Sequence, residues 1–144
     1  MMAAQPSGED ELARVAAFRG ELRRFLRRTE TVATRAGLTS QRYDLLLMIK
    51  SAGSGRGGVR VTALCDLLHL RQTAVTELVK RAEDAKLIVR RASPRDGRSS
   101  LLSLTAEGER RLFSAFDALR GDRQLLVSAL SELEQRLGSP DASG

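Results

Sequence analysis

Few residues of this 144-residue chain are of the types that carry catalysis. It has one histidine, His69, and one cysteine, Cys65. Acid-base and covalent chemistry need such groups within reach of each other, so an enzyme is disfavoured, although carboxylates alone remain available. A lone histidine without companion ligands also makes a poor metal site, and a turn position is favoured for it. We expect no cofactor.

The distribution of basic residues says more about the function of this chain than its histidine and cysteine do. The net charge is +6, and residues 56–104 carry ten basic and five acidic side chains, whereas residues 105–144 carry five and seven. A basic patch attracts phosphate through counterion release. Double-stranded nucleic acid is therefore the first partner to consider, with simple solubility as the alternative.

The first half of the chain predicts two helices and a loop. Apolar spacing indicates a long amphipathic helix from Leu12 to about Gly37, with a polar face that favours a solvated helix over a membrane-bound one. A second helix opens at Thr39 or Ser40 and ends near residue 51. The glycine-rich SAGSGRGG that follows lacks the ending of a phosphate-binding loop, so we interpret it as a flexible loop.

The middle of the chain predicts a helix-turn-helix. After a short strand over residues 59–61, Thr62 caps a short helix, His69 and Leu70 form a turn, and a further helix spans residues 71–85. Two short helices joined by a tight turn are typical of DNA-binding proteins. Apolar residues of the later helix point inward at Val75, Leu78, Val79 and Ala82. Its polar residues, outward or at the margins, include Arg71, Gln72, Thr73, Thr76, Glu77 and Lys80.

A β-hairpin is predicted directly after this helix. Residues 87–92 and 98–104 read as two strands, and Pro94 to Gly97 have the chemistry of a hairpin tip. A lone hairpin is marginal in water and must pack on the helices before it, which makes the segment a winged helix. The basic residues on or around this wing are Arg90, Arg91, Arg95 and Arg98.

The last segment, capped by Thr105, continues the apolar helical pattern. One stripe contains Leu112, Phe113, Phe116 and Leu119, and another follows an interruption near Gly121. Together with the first helix, these stripes exceed what a small winged helix can cover. They predict a dimer interface.

The chain resembles the MarR family of bacterial transcriptional regulators from about Leu38 to Leu112. The resemblance rests on LTSQRYDLLL, VTALCDLLHL, TAVTELVKRAEDAKLIVRR and SPRDGRSSLLSLTAEGERRL. Its most specific part is the Asp-x-Arg of the wing, Asp96 and Arg98, followed by Ser-Leu-Thr ending at Thr105.

The resemblance implies a homodimer whose terminal helices interlock and whose two winged helices bind a pseudo-palindromic operator. It implies that Arg98 enters the minor groove and that Asp96 orients the wing through charge-assisted hydrogen bonds. Tyr43 would lie near the groove where relatives bind phenolic effectors, although a core or interface position is favoured for it. Because aromatic residues are only 3% of the chain, an aliphatic effector, or none, stays open.

The sequence departs from the family pattern at four positions. Lys86 replaces a helix-ending glycine, Arg95 a common acidic residue, and Gly97 a common second arginine. Glu77 occupies the recognition face, where it could accept from a cytosine amine or oppose phosphate. Glu77 and Gly97 keep open the alternative of a winged-helix interaction protein with weak or lost DNA binding, and Cys65 keeps open a thiol-based redox sensor.

We therefore expect a mainly α fold with a small β-hairpin wing, a winged helix-turn-helix with N- and C-terminal dimerisation helices. Residues 1–37 would form the N-terminal dimerisation helix, residues 38–105 the DNA-binding domain and residues 106–144 the C-terminal dimerisation helices of one structural unit. The expected function is a ligand-responsive repressor. The single cysteine, favoured as a buried structural thiol, and the absence of a secretory signal pattern predict a cytoplasmic protein without a membrane partner.

Overall fold

The computed structural model describes residues 8–137, which form six helices and one two-stranded sheet. The predicted mainly helical fold with a small hairpin is confirmed. The outer ends of both predicted dimerisation segments, residues 1–7 and 138–144, lie outside the described residues. Within residues 8–137 no helix has the length and hydropathy needed to cross a membrane. The elements in chain order are α1 (Gly8–Arg35), α2 (Ser40–Gly53), α3 (Val61–Leu68), α4 (Gln72–Asp84), β1 (Ile88–Ala92), β2 (Ser100–Leu104), α5 (Ala106–Ala118) and α6 (Arg120–Leu137).

Two threonines cap helices: Thr105, as the sequence predicts, and Thr39, one of the two candidates that the sequence offers. Thr39 precedes α2, and its hydroxyl accepts a hydrogen bond from the Arg42 backbone N–H at 3.1 Å. Thr105 precedes α5, and its hydroxyl accepts from the Gly108 N–H at 3.0 Å while donating to the Lys86 carbonyl at 2.8 Å. Each cap pairs a backbone N–H that lacks a partner within its helix, and Thr105 also ties α5 to Lys86 in the segment between α4 and β1.

The chain divides into two units, of which residues 30–117 form the first. Its core collects fully buried side chains from α2, α3, α4, β2 and α5 together with Leu87. This packing explains why the helix-turn-helix and the hairpin are held together in one body: each contributes apolar side chains to the same interior. Its largest fully buried side chains are Leu45, Leu46, Ile49, Leu64, Val75, Val79, Leu87, Leu102 and Leu112.

The second unit contains the described residues up to Thr29 and from Ala118 onward, which lie in α1 and α6. The Arg28 guanidinium and the Asp122 carboxylate form an ion pair at 3.4 Å in this unit. Several of its large apolar side chains face solvent instead of a core. The most exposed are Leu12 (71%), Val127 (60%), Leu26 (56%) and Leu125 (55%).

The predicted strand over residues 59–61 is wrong, and so is the predicted cap at Thr62. Only Val59 pairs with the sheet, through an isolated antiparallel bridge to Leu102. Helix α3 begins at Val61, with Arg60 at the capping position and no hydrogen bond from its side chain. The chain turns into the helix directly after the bridge, which leaves no room for a longer strand.

One strand boundary differs from the prediction, and the break between the last two helices lies close to its predicted place. β2 begins at Ser100 instead of Arg98, because residues 96–99 form a turn in which the Ser99 N–H donates to the Asp96 carbonyl at 3.0 Å. The break between the last two helices falls at the buried Leu119, two residues before Gly121.

Candidate nucleic-acid interface

The turn between α3 and α4 is built by a residue in the left-handed conformation. His69 has φ 54° and caps α3, and the Leu70 N–H donates to the Cys65 carbonyl at 3.1 Å. A left-handed residue at this point reverses the chain and satisfies a carbonyl at the helix end. His69 therefore occupies the turn position that the sequence predicts. Cys65 is half-buried and is not the fully buried thiol that the sequence favours.

Helix α4 separates an inner from an outer face. Val75, Val79 and Ala82 are fully buried, whereas Leu78, also predicted to point inward, is only half-buried. Residues on the other faces are left to solvent because apolar side chains recur every three or four positions. All six polar residues predicted for this surface are exposed, with Arg71 at the capping position: Arg71, Gln72, Thr73, Thr76, Glu77 and Lys80.

Glu77 is held by its own helix. Its carboxylate pairs with the Arg81 guanidinium at 3.2 Å, one turn along, and both side chains are more than half exposed. An exposed pair of this kind contributes little to stability. It does offset the negative charge that Glu77 brings to the outer face of α4.

The hairpin projects basic side chains from β1. The two strands pair antiparallel, with Arg90 opposite Leu102 and Arg91 opposite Leu101. Both arginines are exposed, but the Arg90 guanidinium donates to the Glu83 carboxylate at 2.8 Å. Arg90 is thus partly neutralised by α4, which the sequence did not reveal. For Arg91 no ion pair is found among the described residues.

Asp96 organises the tip of the hairpin. Its carboxylate accepts from the Arg98 N–H at 3.0 Å and from the Ser99 hydroxyl at 2.9 Å. The pKa of Asp96 lies below its ordinary value, chiefly because of the hydrogen bond from Arg98 and then that from Ser99, with a further contribution from the positive charge of Arg60. Asp96 is therefore ionised at neutral pH. The carboxylate therefore fixes the backbone at Arg98.

The guanidinium groups at the tip are left available. Arg95 and Arg98 are exposed, and within residues 8–137 neither side chain forms an ion pair with a carboxylate. An ordered backbone that carries unneutralised, exposed arginines suits phosphate or groove contacts, since the charge is not already satisfied within the protein.

Gly58 is a site feature that sequence reasoning missed. It has φ 134°, and a Cβ atom there would lie 2.6 Å from the Leu102 carbonyl oxygen. Only glycine allows this approach. The approach lets Val59 exchange two hydrogen bonds with Leu102, at 2.9 and 2.8 Å. The glycine-rich segment, interpreted from sequence as a flexible loop, thus ends in a buried contact that anchors the wing.

Tyr43 and a surface cleft are separate features. Tyr43 is only 5% exposed and lies in the core of the first unit. A cleft of about 500 Å³ lies between α1 and α6 of the second unit, and Tyr43 is not among its lining residues. The apolar side chains that line the cleft include Ala17, Phe18, Leu125 and Leu133, and its charged lining residues are Arg14, Glu21, Arg24 and Glu132.

Comparison with known proteins agrees with this architecture. Residues 36–99 match the sequence profile of the MarR family. A proposed transcriptional regulatory protein for the hcr operon of Thauera aromatica is 27% identical over 117 residues, which cover 81% of this chain and 68% of that protein.

Solved structures extend the likeness to the fold. A MarR family transcription regulator is 26% identical with a TM-score of 0.63, covering 86% of this chain and 78% of its own. A mutant of E. coli MarR complexed with operator DNA has a TM-score of 0.67 at 16% identity, covering 93% of this chain and 99% of its own. Residues 36–99 therefore match the MarR family of transcriptional regulators, and the chain has the winged-helix fold of solved members of that family.

Proposed function

We propose that this protein binds a pseudo-palindromic DNA operator as a homodimer and acts as a ligand-responsive repressor. The observation that carries the proposal is the exposed polar face of α4 beside a hairpin whose tip holds two unneutralised arginines. This combination supplies both kinds of contact that DNA recognition needs, side chains for base edges and charges for phosphates. Two solved relatives, a mutant of E. coli MarR and MepR of S. aureus, are seen in complexes with DNA.

In the proposed complex α4 lies in the major groove and the wing reaches the minor groove. Gln72, Thr73 and Thr76 are placed to contact base edges, while Arg71 and Lys80 contact phosphates. Arg98 enters the minor groove, with its backbone fixed by Asp96. Arg95 and Arg91 add phosphate contacts along the hairpin, and Arg90 adds less because Glu83 pairs with it.

The exposed apolar side chains of α1 and α6 support the homodimer. Leu12, Leu26, Leu125 and Val127 are all more than half exposed, and Leu130 is 43% exposed. Side chains of this kind on two helices of one small unit are stabilised when a second copy buries them. The dimer would present two α4 helices about one helical turn of DNA apart.

The proposed effector would bind in the second unit. The cleft between α1 and α6 combines apolar walls with two arginines and two glutamates, which suits a small ligand with an apolar body and a polar group. Because Tyr43 is buried, it offers a ligand little surface in this conformation.

The experiment that tests the proposal is fluorescence anisotropy with duplex DNA from upstream of the protein's own gene. We expect much tighter binding to that duplex than to a shuffled one, with a steep dependence on salt concentration. Arg98→Ala should weaken operator binding about tenfold or more, which corresponds to about 1.4 kcal/mol or more. Equal affinity of Arg98→Ala and the parent protein would refute the wing assignment.

A further inference from the structure

The bridge at Val59 sets the direction of the chain that follows it. Val59 pairs antiparallel with Leu102, and in such a pair the next residue on one strand faces the preceding residue on the other. Arg60 therefore comes alongside Leu101, on the side of β2 that leads to the hairpin tip. Its backbone is extended, with φ −83° and ψ 151°, before the chain turns into α3.

Burial shows which face of the sheet Arg60 occupies. Val59 and Leu102 are buried, so their neighbours Arg60 and Leu101 point to the opposite face because side chains alternate along extended chains. On the other side of β2, Arg91 pairs with Leu101 and is exposed, as is Arg60. Arg60, Leu101 and Arg91 thus form a row across the outer face of the wing, with an arginine at each end.

No hydrogen bond or ion pair within residues 8–137 accounts for the charge of Arg60. Its side chain makes no capping hydrogen bond to α3, and within residues 8–137 it is in no ion pair with a carboxylate. Its charge does reach the hairpin tip, where it contributes to keeping Asp96 ionised. A cation at this place also offsets the repulsion that the Asp96 carboxylate would exert on an approaching phosphate.

We propose that Arg60, which lies outside the hairpin, contacts a DNA phosphate beside the wing and extends the basic surface of the tip across the outer face of the sheet. This inference rests on the proposed function and adds to it a residue that no hairpin or helix pattern would select. The contact is to the backbone of DNA, so it strengthens binding to every sequence equally.

The test is Arg60→Gln, which removes the charge and keeps much of the side-chain length. Anisotropy titrations at several salt concentrations should show about a threefold to tenfold loss of affinity for operator and shuffled duplex alike. The slope of log affinity against log salt should fall by about one for each protomer. Arg60→Lys should restore most of the slope. Arg110→Gln is the matched control, since Arg110 is exposed on α5, where no DNA contact is proposed.

The outcomes separate this inference from the proposed function. If the parent protein binds DNA and Arg98→Ala weakens it but Arg60→Gln changes neither affinity nor salt slope, the Arg60 contact is refuted and the function stands. If the parent protein fails to bind duplex DNA, the function itself fails. An effect of Arg60→Gln that disappears in an Asp96→Asn background would show that Arg60 acts only on the wing tip, which also overturns the phosphate contact.

Discussion

The two units of this chain differ in where they keep their apolar side chains. Apart from Leu119, the largest fully buried side chains of residues 8–137 all belong to the unit of residues 30–117. The unit of α1 and α6 instead exposes Leu12, Leu26, Leu125 and Val127. The first unit is stabilised by its own core, whereas the proposed homodimer would bury the exposed side chains of the second, so substitutions should affect the two units in different ways.

The largest loss of stability should come from truncating a buried side chain of the wing. Leu102 is fully buried in β2 and faces both Arg90 and Val59. Leu102→Ala should lower the free energy of unfolding by about 2–5 kcal/mol, because it removes buried methyl groups and leaves a cavity. Urea denaturation would measure the loss. Leu101→Ala, at the half-exposed neighbouring position, is the control and should lose clearly less.

Two glycines, one in each unit, should respond in opposite directions. A Cβ at Gly108 in α5 would lie 2.1 Å from the Leu87 carbonyl oxygen, whereas one at Gly121 in α6 would meet nothing within 4 Å. Gly108→Ala should destabilise by about 1–3 kcal/mol through the backbone clash. Gly121→Ala should stabilise by about 0.5–1 kcal/mol through helix propensity. Unfolding temperatures that shift in the same direction for both variants would contradict the comparison.

The exposed apolar face of α6 should affect the dissociation constant of the proposed dimer and not the stability of the core. Val127→Asp should raise the dissociation constant of the dimer at least about tenfold, because it places a charge where an apolar contact is proposed. Sedimentation velocity over a range of concentrations would measure this. Gln124→Asp makes the same change of charge at an exposed polar position of the same helix. A monomeric parent protein would remove the basis of the prediction.

A smaller effect is expected at the end of α4. Lys86 has φ 60°, a left-handed conformation that disfavours residues with a Cβ atom. Lys86→Gly should raise the free energy of unfolding by about 0.5–1 kcal/mol. Ala85→Gly is the neighbouring control and should lower it by a similar amount, since Ala85 has an ordinary φ of −79°. By calorimetry, the unfolding temperature of Lys86→Gly should therefore rise and that of Ala85→Gly should fall.

The smallest expected effect is a dependence of the free energy of unfolding on pH. Hydrogen bonds from Arg110 and then Arg111 lower the pKa of Glu107 to about 2. A carboxylate whose folded pKa lies below its unfolded value of about 4.5 stabilises the fold above that value, and this contribution is lost as the pH falls towards 2. The stability difference between the parent protein and Glu107→Gln should shrink over that range in urea titrations. A difference that is constant from pH 7 to pH 3 would contradict the assignment.

Sequence reasoning predicted the elements whose signals are local. The caps at Thr39 and Thr105 and the buried positions Val75, Val79 and Ala82 follow from residue type and spacing. The exposed polar residues of α4 follow from the same spacing. What these residues bind stays a prediction until DNA is tested.

The features that sequence reasoning missed depend on distant parts of the chain. The bridge of Val59 needs a glycine at position 58 to approach Leu102, and the bond from Arg90 to Glu83 needs the hairpin to lean on α4. The place of Arg60 follows from that bridge. No periodicity marks such contacts, because each is set by where two separate elements meet in the folded unit.

The contact of Gly108 with Leu87 has a mechanical consequence. The backbones of α5 and of residue 87 touch with no side chain between them, and the Leu87 carbonyl also accepts from the Thr105 N–H at 3.0 Å. Because the backbone atoms of α5 and Leu87 are already in contact, we expect a rotation of α5 to move Leu87 with it. Leu87 is the residue from which the chain passes from α4 to β1, with its N–H bonded to the Ala82 carbonyl. We therefore expect a small movement of α5 to be passed through Leu87 to the junction between α4 and the wing.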